Sequence, residues 1–125
     1  MKENCKLGVV GPCASGKSTL IASLTKYGYN ARHIAQEHSY VPKMWHLITN
    51  PDILIFLDVS YELSKQRRKL NWTEAEYAEQ HHRLRDARQH ADLYLDTNNL
   101  NSGQVLKRVL EFLEKDTVCL GKKVI

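Results

Sequence analysis

The stretch Leu7–Leu24, LGVVGPCASGKSTLIASL, constrains this chain more than any other part of it. The apolar run Leu7–Val10 predicts a short buried strand. Gly11 opens a loop that ends at Gly16, Lys17 and Ser18, and a helical pattern runs from Gly16 to Lys26. The spacing is G-x-x-x-x-G-K-[ST], with a strand before it and a helix after it, which is the context this pattern requires.

The remainder of the chain continues the alternation. Apolar runs at Lys6–Val10, Ala31–Ala35, Asp52–Asp58 and Asp92–Asp96 predict four strands. Helical patterns cover Gly16–Lys26, Val41–Ile48, Tyr61–Leu70, Thr73–Ala91 and Ser102–Lys115. Such alternation predicts a short, mainly parallel sheet covered on both faces. ILIFLD is nearly all apolar, as a central parallel strand should be. In the last helix Val105, Leu106, Val109, Leu110 and Leu113 share one stripe, which reads as packing. Thr73 and Glu76 have capping-box spacing, and Trp72 and Tyr77 occupy the two staple positions. Beyond them His81, Arg85 and Arg88 recur on a polar face.

The glycine loop suits a triphosphate, whose oxygens accept hydrogen bonds and donate none. Without side chains at Gly11 and Gly16, the backbone can curl and aim successive N–H groups inward. The helix behind it adds its positive end. Gly11, Pro12, Cys13, Ala14, Ser15, Gly16, Lys17, Ser18 and Thr19 form the candidate cofactor-binding set. Lys17 supplies a point charge for the β- and γ-phosphates, Ser18 a hydroxyl for Mg²⁺, and Thr19 a contact to the α-phosphate. Cys13 and Ala14 contribute backbone only.

With 125 residues, 42% apolar and 26% charged, residues 1–125 fit one compact domain. Three cysteines (Cys5, Cys13, Cys119) lack C-x-x-C spacing, so neither a zinc site nor a disulfide framework is indicated. Free thiols fit a reducing cytoplasm. No positive-then-apolar leader is expected from the first residues, and no apolar run nears the roughly 20 residues a membrane span needs. The net charge of +4 suits phosphate esters and polyanions alike. Glu74, Glu76, Glu79 and Asp86 interrupt the basic helices, so nucleic acid ranks last among the partners. His81, His82 and His90 are not a zinc set, because adjacent histidines point to different sides of a helix.

GPCASGKSTL resembles the corresponding loop of the small P-loop kinases, the nucleoside-monophosphate-kinase-like and dephospho-coenzyme-A-kinase-like group. PDILIFLDVSYELSKQRRKL looks like the strand and helix that lead into their lid, and ARQHADLYLDTNNLNSGQVLKRVLEFL like their last strand and C-terminal helix. The resemblance implies a three-layer P-loop NTPase fold, ATP and Mg²⁺ as cofactors, and transfer of the γ-phosphoryl group to a small acceptor. It also implies a lid-like region, about residues 65–91, whose arginines neutralise charge on the transferred group. The matching region holds the cluster Lys65, Arg67, Arg68 and Lys69 on one helix and Arg83, Arg85 and Arg88 on the next, and the resemblance implies Arg68 and Arg83 or Arg88 as its phosphate contacts. A solvated basic face is the other reading of the same cluster.

The likeness stops at Gln36–Pro51, QEHSYVPKMWHLITNP, which is too short for the additional strand, crossover and acceptor lobe usual in that group. The carboxylate that organises Mg²⁺ normally ends that strand. Asp58, at the end of ILIFLD, either takes its place or caps the next helix. Glu37 either organises the metal, acts as a base, or is solvated. Glu37, His38, Tyr40, Lys43 and Trp45 crowd a segment expected to face the ligand cleft. Its rings either stack on a base or pack, and His38 or Lys43 meets a phosphate or solvent. The reading that follows is a small kinase, with a nucleotide-binding module of slow or no turnover as the alternative. Guanine is disfavoured by the absence of an N-K-x-D element.

Overall fold

The computed structural model describes residues 4–68 and 71–115, with backbone only at Arg68. Four strands, β1 (Lys6–Val10), β2 (Asn30–His33), β3 (Ile53–Asp58) and β4 (Leu93–Asp96), form one sheet in the order β2-β1-β3-β4. Every pairing is parallel, with Leu7 opposite Ala31 and Ile53, and Ile55 opposite Leu93. The helices are α1 (Lys17–Lys26), α2 (Tyr61–Arg68), α3 (Glu74–Arg83), α4 (Arg85–His90) and α5 (Ser102–Lys115). The chain is thus α/β, with a four-stranded all-parallel sheet.

Period-two alternation divides β3 between two cores. Ile53, Ile55 and Leu57 join Leu7, Val9, Leu20, Leu24, Val105 and Val109 on the α1/α5 side. Leu54 and Phe56 join Val10, Ile34, Trp45, Leu84 and Ala87 on the other. All six residues of β3 are buried, as a strand covered on both faces requires. The α5 stripe behaves as its spacing predicts, with Val105, Val109 and Leu113 buried. Thr73 and Glu76 form the capping box, and the Trp72 and Tyr77 rings meet edge to face at 5.8 Å.

Several elements differ from the sequence reading. β2 begins at Asn30 and ends at His33, short of the expected Ala35; Ile34 still donates to the Val9 carbonyl at 3.1 Å, and a 3-10 turn, Gln36–His38, follows. The helix expected over Val41–Ile48 is a turn followed by a π-helical turn, Trp45–Thr49. Pro42 lacks an N–H, and the Gln36 amide takes the local backbone partners. It donates to the Val41 carbonyl and accepts from the Trp45 N–H, each at 2.9 Å. The helix expected over Thr73–Ala91 divides at Leu84, which is fully buried and sends the chain toward the sheet. Leu70 lies outside the described residues, so α2 is described to Arg68.

Cys5 is disulfide-bonded and fully buried, whereas Cys13 is a free thiol. This corrects the expectation of free thiols throughout, since short-range spacing carries no information about pairing between distant cysteines. Among the described residues, no helix is long and apolar enough to cross a membrane.

Candidate functional site

All strands are parallel, so their C-terminal ends meet at one edge of the sheet. There the glycine loop after β1 faces the segment after β2. A cavity of about 660 Å³ opens between them, lined by Cys13–Thr19, Glu37 and His38, with Arg67, Thr97 and Asn101 on its far side. Gly11 (φ 155°), Ala14 (φ 69°) and Gly16 (φ 97°) bend the loop round this space. A Cβ on Gly11 would lie 2.1 Å from the Leu57 carbonyl oxygen, so this close approach of loop to β3 requires glycine.

Lys17, at the start of α1, is only 7% exposed. Its ammonium donates to the Gly11 and Pro12 carbonyls at 2.6 and 3.0 Å and pairs with Glu37 Oε2 at 3.0 Å. Three acceptors match its three donors. Glu37 is 3% exposed, and its Oε1 has no hydrogen-bond partner, nor does Ser15 Oγ. Ser18 and Thr19 are exposed at the mouth of the cavity. The site therefore carries a buried cation, a buried carboxylate with one unengaged oxygen, and a helix N-terminus, all facing the same space.

Two long-range contacts hold the loop. Gln80 on α3 accepts from the Cys13 N–H at 3.0 Å and donates to Cys13 Sγ at 3.2 Å. Arg67 on α2 donates to the Ala14 carbonyl at 3.3 Å, and to Thr97 Oγ1 and the Thr97 carbonyl at 2.9 and 2.5 Å. Gln80, Thr97 and Asn101 are not among the residues the sequence singles out, and Arg67 is there only as a member of the basic lid cluster. Thr97 follows an apolar strand at the ligand-facing edge of the sheet, which is the one signal that could have pointed to it.

Other expected residues lie elsewhere. Asp58 does not line the cavity. It accepts from Tyr94 OH at 2.5 Å and contacts His81 Nε2 at 3.3 Å. Arg83 lies over the Tyr40 ring at 4.4 Å and donates to Glu79 Oε1 at 3.2 Å, while Arg88 lies over the Tyr94 ring at 4.9 Å. Tyr40 is 82% exposed, Lys43 pairs with Asp86 at 3.4 Å, and the core residue Trp45 donates through Nε1 to Asp86 at 2.8 Å. None of these six side chains lines the cavity. The Arg68 side chain lies outside the described residues. His81 and Arg88 are thus engaged with the sheet and are not a purely solvated face.

The Asp58 cluster has a pH signature. Burial pushes the carboxyl up, but the contacts from His81 and Tyr94 outweigh it and leave the pKa below the ordinary 3.8. A depressed carboxylate contributes stability above its unfolded pKa and loses it as pH falls through the folded one. Thermal melts from pH 6 to pH 2 should therefore show a loss below about 4 that Asp58→Asn reduces. Equal acid sensitivity in the two proteins would assign the loss to other groups. Burial and the bond to Asp58 also push the Tyr94 phenol up to about 12.

No protein-family model matches this sequence, and a search of curated proteins finds no match.

Proposed function

We propose that this chain is a P-loop protein that binds ATP with Mg²⁺ and transfers the γ-phosphoryl group to a small acceptor. The carrying observation is the buried Lys17–Glu37 pair, set in a glycine loop of the required spacing at the mouth of a ligand-sized cavity. The fold proposed is the three-layer P-loop NTPase fold, for which the all-parallel sheet and its two covered faces are the support.

In this reading Lys17 leaves the Gly11 and Pro12 carbonyls and turns to the β- and γ-phosphate oxygens. The N–H groups at the start of α1 receive the remaining phosphate charge. Mg²⁺ fits the oxygen donors present, namely the Ser18 hydroxyl and the carboxylate of Glu37, whose Oε1 lacks a partner. When bound, it neutralises charge on the β- and γ-phosphates. Glu37 stands at the end of the β2 segment, beside Lys17, and so replaces Asp58 as the carboxylate of choice. Among the described residues, Arg67, next to the expected Arg68, is the lid-side cation at the cavity.

The alternative is a nucleotide-binding module with slow or no turnover. One observation favours it: Arg83 and Arg88 are engaged on tyrosine rings and do not line the cavity.

Calorimetric titration of ATP with and without Mg²⁺ tests the binding. The expected result is saturable, Mg²⁺-dependent binding, and no heat at millimolar nucleotide would end both readings. ADP release stimulated by a member of a small-molecule acceptor panel supports the kinase. Binding with no stimulation supports the module.

A further inference from the structure

Cys13, Glu37 and His38 bring one ligand atom each, a sulfur, a carboxylate oxygen and an imidazole nitrogen, within 4.8 Å of one another at the cavity wall. We propose that these three side chains bind one divalent transition-metal ion of the zinc class in the nucleotide-free protein. The site shares Glu37 with the Mg²⁺ reading and goes beyond it, because thiolate and imidazole donors suit zinc or cobalt and are poor ligands for magnesium.

The cluster has an independent reason to take a cation. Glu37 is 3% exposed, Lys17 occupies Oε2, and Oε1 has neither a donor nor water-accessible surface of any size. A buried carboxylate oxygen left without a donor carries a desolvation cost that a cation placed against it would recover. Cys13 as thiolate and Glu37 as carboxylate together balance the charge of a divalent ion, which offsets the proximity of Lys17. On binding, the Cys13 S–H bond breaks, the sulfur pair is donated to the metal and the proton leaves to solvent.

The donors are also held in place. Gln80 Nε2 donates to Cys13 Sγ at 3.2 Å, the kind of outer hydrogen bond that orients a metal ligand. Gln36, fully buried, fixes the turn that carries Glu37 and His38, and donates to the Arg83 carbonyl at 3.2 Å. Arg83 Nη1 donates to the Glu37 carbonyl at 3.4 Å. Tetrahedral zinc bonds place ligand atoms about 3.3–3.6 Å apart, so closure needs a movement of about 1 Å. The His38 side chain, 59% exposed, is free to make it. The fourth position faces the cavity, where three-ligand zinc sites hold water or an exogenous oxygen.

Cobalt(II) titrated into the full nucleotide-free chain, in thiol-free buffer, tests the assignment. The expected result is one equivalent bound with a near-ultraviolet sulfur-to-cobalt band, displaced by zinc. Cys13→Ser should abolish the band while retaining Cys5 and Cys119. His38→Ala, at an exposed position that does not support the core, should weaken binding at least about tenfold. Absence of the band, its persistence in Cys13→Ser, or unchanged affinity in His38→Ala would each overturn the proposal. No nucleotide is present, so this result is independent of whether the chain binds ATP.

Discussion

Lys17→Ala should lose Mg-ATP binding and, in the same protein, lower the stability of the nucleotide-free state. The ammonium is the flexible charge proposed for the β- and γ-phosphates, and its removal is expected to weaken binding about 100-fold, or about 3 kcal/mol. The stability effect has a different origin. Glu37 is buried, and Lys17 at 3.0 Å is its main compensation. Breaking a buried ion pair from one side costs about 3–5 kcal/mol, less whatever the carboxyl recovers by taking up a proton. Lys17→Ala combined with Glu37→Gln removes the stranded charge and should recover much of the stability without restoring ATP binding. Calorimetry and urea unfolding of the single and double variants separate the two effects. A single variant as stable as wild type would mean that the pair compensates nothing.

Gly11→Ala should destabilise the fold by more than about 3 kcal/mol, a large part of what a domain of this size possesses. The added Cβ would sit 2.1 Å from the Leu57 carbonyl oxygen and 2.8 Å from Ser15 Oγ. Leu57 is fully buried within β3, so its backbone cannot retreat without disturbing the ladders to β1 and β4. Gly16 provides the contrast. Its φ is also positive, at 97°, but no atom lies within 4 Å of a Cβ built there. Gly16→Ala should therefore cost only the left-handed backbone strain, about 1–2 kcal/mol. Urea midpoints of the two variants give the comparison. Equal losses would show that close packing against β3 is not what requires glycine at position 11.

Much of the fold was legible because it is local. The Leu7–Val10 run, the all-apolar ILIFLD, the α5 stripe and the Thr73/Glu76 box each depend on neighbours within a turn or a strand. The helix expected after Val41 failed for a non-local reason. Gln36, five and nine residues upstream, takes the Val41 carbonyl and the Trp45 N–H. The break at Leu84 likewise follows from burial against a sheet that no helical window contains.

The candidate site divides in the same way. A glycine loop, a lysine at its end and a helix behind it are set by spacing over a few residues, and the sequence alone determined them. Which carboxylate meets Lys17 was decided by tertiary structure. Asp58 lies in period-two phase with Leu54 and Phe56, so it points to the α3/α4 side and bonds to Tyr94, while Glu37 arrives from the far end of β2. Arg67 reaches the cavity because α2 docks against Thr97, a contact that spacing along the chain does not announce. Spacing along the chain sets what a short segment can form. The faces that meet at the cavity depend on how the strands and helices pack, and that is a property of the whole fold.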